Sequence, residues 1–202
     1  FFLAFSFTDP MAGGHLRNLL DELNENQLLR HDFPELAPRR GAKGGRTQLA
    51  GGAAIGARGM GGTALGVRAR EKRPDLMVGD DLQPGEVDNS PELVRKNTSR
   101  LQRNILPMNT RAVVQVTGTV TRRHDLIHQV VHAAAGRARP SSWVTQERFT
   151  PHHYPALRED GTSLWPQRWS AAELVAMRAA DPRGFALNYA NDLNNATAIA
   201  TI

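Results

Sequence analysis

The sequence contains no cysteine, few aromatic residues and no long apolar run. Without cysteine there are no disulfide bonds and no thiolate metal site, which leaves the cellular compartment open. The apolar stretch Phe1–Phe7 is far shorter than the roughly 20 residues that span a bilayer. It also has neither the basic leader nor the cleavage site of a signal peptide. We therefore expect no membrane span in these residues.

The composition is that of a soluble globular protein. At 202 residues, with 40% hydrophobic and 22% charged residues, the chain can form one large domain or two small ones. The net charge of +5 points weakly to a polyanionic partner such as nucleic acid. The chain begins on phenylalanine inside an apparent strand, which predicts that it is a piece of a longer protein.

A short apolar run, Leu76–Gly79, ends in two adjacent carboxylates, Asp80 and Asp81. Such a run is typical of a strand buried on both faces of a parallel sheet. Ligands of open α/β sheets bind just beyond the carboxyl ends of the strands. Asp80 is therefore predicted to hold hydrated Mg²⁺, and Asp81 to orient or deprotonate an attacking water. The alternative is an Asp-Asp turn or helix cap.

Strand and helix patterns alternate through residues 1–145 and predict an α/β fold with a mostly parallel sheet and flanking helices. The predicted strands are Phe1–Phe7, Leu76–Gly79, Arg111–Thr117 and a short one at Trp143–Thr145. The predicted helices cover residues 11–30 with Asp9 as N-cap, Ser90 to Pro107, about Arg123 to Ala134, Ser170 to Ala180, and Asp181 to about Asn191.

Residues 39–73 differ in composition, with ten glycines, nine Lys or Arg and one acidic residue, Glu71. We expect mostly loop here, with one or two weak strands within Thr47–Ala57. Arginine next to a transferring phosphate stabilises developing charge. The candidates are Arg58, Arg68, Arg70 and Arg73. The alternative for each is a solvated basic loop.

Two hydroxyls flank a glycine at the end of the next predicted core strand, in Thr117-Gly118-Thr119. Adjacent parallel strands would bring them to the same sheet edge as Asp80 and Asp81. Threonines there can hydrogen-bond a γ-phosphate or its attacking water. The alternative is ordinary β-propensity followed by a turn glycine.

Taken in order, these segments resemble the large subunit of a tailed-phage terminase, the motor that packages viral DNA. Phe5–Asp9, His15–Leu19 and Asp32–Pro34 resemble the strand and helix after the phosphate loop, and Arg73–Asp81 is similar to the Walker B strand. Thr117–Thr119, with Arg122 and His124–Ile127, looks like the coupling motif. Asp160–Pro166 and the helix from Ser170 resemble the stretch that closes the ATPase domain, and Phe185–Asp192 the lead-in to the linker. The likeness covers nearly all of residues 1–195.

The resemblance implies an incomplete P-loop NTPase core of the additional-strand, RecA-like class, with ATP and Mg²⁺ as cofactors. It implies an ATPase-core fragment over residues 1–147, a helical closing segment over 148–195, and a tail over 196–202 toward a nuclease domain. Asp80 would bind the metal, Asp81 would be the catalytic carboxylate, and Thr117, Gly118 and Thr119 would couple hydrolysis to motion. Arg68 or Arg70 would act on the γ-phosphate.

The implied partners are double-stranded DNA, a portal, a small terminase subunit and further copies in a ring, in the host cytoplasm and without a membrane. Arg39, Arg40, Lys43 and Arg46 would attract the DNA backbone. Two departures stand out. The 202 residues contain no G-x-x-x-x-G-K-[ST] loop, so the chain alone is expected to be inactive, and Asp81 stands where many relatives carry Glu.

Two alternatives remain. One is a non-catalytic basic module that binds nucleic acid. The other is a helicase-like ATPase of the same superfamily.

Overall fold

The computed structural model describes residues 1–39, 46–61, 68, 72–83, 90–120, 124–134 and 142–192. Within these residues, five strands form one mixed, mostly parallel sheet in the order β2-β3-β1-β4-β5. The strands are β1 (Phe2–Ser6), β2 (Arg46–Gln48), β3 (Ala54–Gly59), β4 (Leu76–Asp80) and β5 (Val113–Thr117). The predicted α/β class with a mostly parallel sheet is therefore confirmed.

The three predicted core strands form and pair in parallel. β1 pairs with β4 from Phe2↔Leu76 onward, and β4 pairs with β5 through Asp80↔Thr117. The outer strand β2 runs antiparallel to β3. β3 pairs with β1 in parallel and is an interior strand, and the one or two strands expected within Thr47–Ala57 are present as β2 and β3, close to those bounds. The small residues of β3 let the neighbouring helix approach closely.

The first helix, α1 (Asp9–Glu25), follows β1 directly. Its N-cap is Thr8, whose hydroxyl accepts the amide of Met11 at 3.3 Å, and not Asp9 as the sequence predicted. The predicted helix over 11–30 is divided, because Asn26 adopts extended backbone and caps a second helix, α2 (Gln27–Asp32). The Asn26 side chain accepts the amides of Leu28 and Leu29, which stabilises this new helix start.

The core between α1 and the sheet is apolar. Its buried members are Ala12, Leu16, Leu23, Leu49, Ile55 and Ala57, and Phe2 and Ala4 pack against them. Because successive strand residues alternate between faces, the face of β1 with Phe2 and Ala4 also carries Ser6. The register places Asp80 of β4 and Thr117 of β5 on that same face.

The opposite face carries Leu3 and Phe5 of β1 and Met77 of β4, each at most 2% exposed. The helical segment between β4 and β5 begins with α3 (Pro91–Arg100), as predicted from Ser90-Pro91. It continues as a π-helical turn, Leu101–Ile105, and a 3-10 turn, Leu106–Met108. The helical segment ends at Met108, next to Pro107, which was predicted to stop it.

The remaining helices are α4 (Leu126–Ala134), α5 (Ser142–Gln146), α6 (Ala171–Ala180) and α7 (Pro182–Asn188). The strand predicted at Trp143–Thr145 was wrong, since these residues lie in α5. The predicted capping box of α6 is confirmed by reciprocal hydrogen bonds between Ser170 and Glu173. The hydrogen bond from the Ser170 hydroxyl lowers the pKa of the Glu173 carboxyl.

The chain divides into two compact units. One comprises Phe1–Pro84 and Arg95–Gly118 and contains the sheet. The other comprises Gly85–Val94 and Thr119–Ile202 and contains α4 to α7. None of the helices in the described ranges is long and apolar enough to cross a membrane.

Candidate functional site

The sheet has a topological switch point between β1 and β4. From β1 the chain passes through α1 toward β3 on one side, whereas from β4 it passes through a helical segment to β5 on the other side. Right-handed crossovers in opposite directions lie on opposite faces of the sheet. The crevice outside the carboxyl ends of such a strand pair is where open α/β sheets bind ligands. Asp80 is the last residue of β4 and Asp81 follows it, so both lie at this switch point.

Asp80 and Thr117 contact each other at this edge. The Thr117 hydroxyl donates to Asp80 Oδ1 at 2.7 Å, and its 3.4 Å approach to the carbonyl of Gly79 is the weaker contact. The juxtaposition expected for adjacent parallel strands is thus present. The hydrogen bond fixes the rotation of the carboxylate and leaves Oδ2 available to another group.

His15 of α1 lies on the other side of the Asp80 carboxylate. Its Nε2 is 4.0 Å from Asp80 Oδ2, and both side chains are 49% exposed. The Asp80 carboxylate is therefore bracketed by a hydroxyl from β5 and an imidazole from α1. A ligand from solvent can still reach it.

Asp81 adopts a left-handed backbone with φ of 45°. Non-glycine residues rarely adopt this region, although Asp and Asn do so more readily than most. The amide of Asp81 donates to the carbonyl of Thr117 at 3.2 Å, and its carbonyl accepts the amide of Phe7 at 3.1 Å. The backbone is thus held on both sides while the side chain is exposed. Strained conformations held by their surroundings cluster at functional sites.

The turn at Asp81 folds the next residue back onto the strand. Leu82 is 1% exposed, and a Cβ built on Gly79 would lie 2.8 Å from its Cδ1. The buried Asn97 amide makes a long 3.5 Å contact with the carbonyl of Leu82. Packing of Leu82 therefore determines the direction in which the chain leaves the site.

The carboxyl ends of β3 and β1 are joined to the start of α1. The amide of Gly59 donates to Asp9 Oδ1 at 2.8 Å, and the amide of Met60 donates to the carbonyl of Ser6 at 2.8 Å. The Ser6 hydroxyl is fully buried and has no hydrogen-bond partner among the residues that the structure describes. Buried polar groups without a partner are rare. The two hydrogen bonds, from Gly59 to Asp9 and from Met60 to Ser6, fix the start of α1, and with it His15, relative to the carboxyl ends of the strands.

The candidate arginines separate into different environments. Arg58 is in β3, on the opposite face from Asp80 by strand alternation. The Arg73 guanidinium donates to the carbonyl of Met108 at 2.7 Å. Arg73 precedes the amino end of β4, so it lies at the opposite end of this strand from Asp80. Neither is placed to reach a ligand at Asp80. Arg68 is exposed, and Arg70 lies outside the described residues.

The candidate DNA-binding residues are only partly described. Arg39 is exposed and donates to the carbonyl of Ala50 at 2.9 Å, and Arg46 is half-buried in β2. Arg40 and Lys43 lie outside the described residues. Gly118 directly follows β5, and Thr119 is half-buried in the second unit.

The residues at the edge suit a divalent cation. A carboxylate with one oxygen occupied by a hydroxyl donor and the other half exposed can act as a monodentate ligand, and other coordination positions stay open to water or phosphate. The sequence predicted the placement of Asp80, Asp81 and Thr117 because the end of a strand has a local sequence pattern. It assigned no role to His15 or Ser6, since His15 reaches Asp80 only through the docking of α1.

The sequence matches no protein-family model and no curated protein.

Proposed function

We propose that this chain forms part of an ATP-hydrolysing motor, specifically the ATPase core of a DNA-packaging terminase large subunit. The observation that carries the proposal is the pair Asp80 and Asp81 at the switch point of the sheet, with Thr117 hydrogen-bonded to Asp80. The supporting resemblance runs in order along nearly the whole chain.

In this proposal Asp80 holds Mg²⁺ through water, with Thr117 orienting its carboxylate. Bound Mg²⁺ would neutralise charge on the β- and γ-phosphates. Asp81 positions the attacking water and takes its proton. Thr117, Gly118 and Thr119 link the state of the γ-phosphate to the chain that follows β5, and Arg68 or Arg70 stabilises charge on the γ-phosphate.

The end of the sheet next to Thr117 offers room for the phosphate loop. Among the described strands, β5 is an edge strand, and Val113 at its start is 66% exposed. A further parallel strand along β5 would end beside Thr117 and deliver a phosphate loop to Asp80. The proposal therefore predicts that DNA upstream of the Phe1 codon encodes a strand, a G-x-x-x-x-G-K-[ST] loop and a helix.

The proposed partners are those of a packaging motor: double-stranded DNA, a portal, a small terminase subunit and further copies in a ring, in the host cytoplasm. Arg39 and Arg46, together with Arg40 and Lys43, would supply backbone attraction without sequence preference.

The 202-residue chain alone is expected to show no Mg²⁺-dependent ATPase activity, because its sequence contains no G-x-x-x-x-G-K-[ST] motif to hold the β- and γ-phosphates. Release of inorganic phosphate measures this directly. Turnover by the isolated chain that disappears in Asp80→Ala would contradict the assignment of an external phosphate loop.

In the whole gene product, Asp80→Asn is expected to abolish DNA-stimulated ATP hydrolysis and to weaken Mg²⁺-dependent nucleotide binding by about tenfold or more. Asparagine keeps the shape of the side chain and removes its charge. The matched control is Asp32→Asn, an exposed carboxylate in α2. Equal activity of the Asp80 variant and this control would refute the proposed metal role.

A second candidate is a module that binds nucleic acid without catalysis. Trp165 is 62% exposed, and the Arg168 guanidinium lies 4.2 Å from the centre of the Trp169 ring. Exposed aromatic rings with arginine are typical of surfaces on which bases stack. DNA binding lost in Trp165→Ala, together with no ATPase activity in the whole gene product, would favour this function.

A further inference from the structure

We propose that His15 is a direct metal ligand beside Asp80, and that the site consequently prefers a first-row transition-metal cation such as Mn²⁺ or Co²⁺ over Mg²⁺. The inference deepens the proposed function, since it concerns the metal at the same carboxylate. It assigns a chemical role to a residue that belongs to α1 rather than to a strand end.

The distance between the two donors fits one shared ion. Metal–nitrogen and metal–oxygen bonds are each about 2.0–2.2 Å long, so two donors on one ion are at most about 4.4 Å apart. His15 Nε2 and Asp80 Oδ2 are 4.0 Å apart, which is too far for a direct hydrogen bond. A small rotation of the half-exposed imidazole would bring both donors into ordinary coordination geometry.

The neighbours of Asp80 favour this arrangement. Thr117 occupies Oδ1 and so turns Oδ2, the oxygen nearest His15, into the free ligand atom. Hydrogen bonds to a ligating carboxylate of this kind tune metal affinity. No cluster of three or more His, Asp or Glu suited to a metal occurs in the described part of the chain, so water or phosphate oxygens would complete the coordination.

The chemistry of the donors determines the preference. Mg²⁺ takes oxygen ligands and retains its waters, whereas imidazole binds first-row transition metals with affinities that rise from Mn²⁺ to Cu²⁺. A site built from Asp80 alone would show a weaker bias toward these metals. One that includes His15 would.

The chain offers a matched comparison in His31 and Asp32, an exposed pair in α2. Their contact, His31 Nδ1 to Asp32 Oδ1, is 2.8 Å, and the two side chains are 86% and 58% exposed. This is a direct hydrogen bond between neighbours in sequence, and it already occupies Nδ1 and Oδ1, the two atoms that face each other. A histidine next to an aspartate is therefore present in both places, but only the His15 pair leaves a gap for an ion.

The test is titration of the 202-residue chain with Mn²⁺, followed by electron paramagnetic resonance of the free ion, with Mg²⁺ as competitor. Spin-echo modulation of bound Mn²⁺ reports a coordinated imidazole nitrogen. Loss of even a hydrogen-bond partner of a metal ligand lowers metal affinity by about 10–100-fold. Because His15 is proposed as a direct ligand, His15→Gln is expected to weaken Mn²⁺ binding by at least about tenfold. It should also abolish the nitrogen modulation, while His31→Gln preserves both.

Equal Mn²⁺ affinity of the His15→Gln chain and the unaltered chain, or nitrogen modulation that persists in this variant, would overturn the inference. Binding that depends on Asp80 but not on His15 would also overturn it and would leave the proposed function standing. Binding that depends on both, with no ATPase activity in the whole gene product, would support the metal ligand while the proposed function fails.

Discussion

Replacing Asp81 with asparagine is expected to slow ATP hydrolysis by about 10²–10⁴-fold in the whole gene product, the range that a general base contributes. Nucleotide affinity should change little, because the proposed metal ligand, Asp80, is unaltered in this variant. The fold should also be preserved, since asparagine adopts the left-handed backbone at this position at least as readily as aspartate.

Two further variants separate the carboxylate from the backbone. Asp81→Gly retains the conformation and loses the carboxylate, whereas Asp81→Ala loses the carboxylate and adds backbone strain of about 1 kcal/mol. Phosphate release and urea unfolding, measured on all three, distinguish the effects. A normal hydrolysis rate in Asp81→Asn would mean that another group activates the water.

Gly59→Ala is expected to destabilise the chain by about 3 kcal/mol, at the upper end of the cost of overpacking. A Cβ at this position would lie 2.3 Å from the backbone nitrogen of Asp9 and 2.5 Å from the backbone carbon of Thr8. Both are main-chain atoms and cannot rotate away. The end of β3 or the start of α1 must shift, and the hydrogen bond from Gly59 to Asp9 would be distorted.

Urea unfolding followed by circular dichroism measures this loss. The control is Gly14→Ala within α1, where a new Cβ would meet only the flexible end of Arg17, at 3.9 Å, among the described residues outside the helix backbone. That variant should gain about 0.5–1 kcal/mol from helix propensity. Similar stability of the two variants would show that β3 and α1 do not approach as closely as described.

The features predicted from sequence were those that local patterns determine. The runs at Leu76–Gly79 and Arg111–Thr117 indicated two strands, and parallel pairing followed from the helix between them. Asp80 and Thr117 could therefore be placed together before their contact was known. The capping box at Ser170 and Glu173 likewise depends on only four residues. The predicted burial of the second strand was wrong, since Val113, Gln115 and Thr117 of β5 are exposed.

The features that were missed depend on tertiary packing. A weak strand was expected where β3 lies, but its interior place in the sheet was not, because Gly and Ala give it low β-propensity and contact with β1 and α1 stabilises it there. Trp143 and Val144 have strand propensity but pack into a short helix, where the Trp143 indole donates to Gln129. The approach of His15 to Asp80 joins residues 65 positions apart in sequence and has no local signature.

The left-handed backbone of Asp81 also bears on which amino acids this position can accept. Glycine, asparagine and aspartate enter that region most easily, and longer or β-branched side chains do so at a cost. Aspartate is the one residue type that combines a carboxylate with ready access to this conformation. The backbone of this turn is therefore sufficient to select the shorter acid over glutamate at position 81.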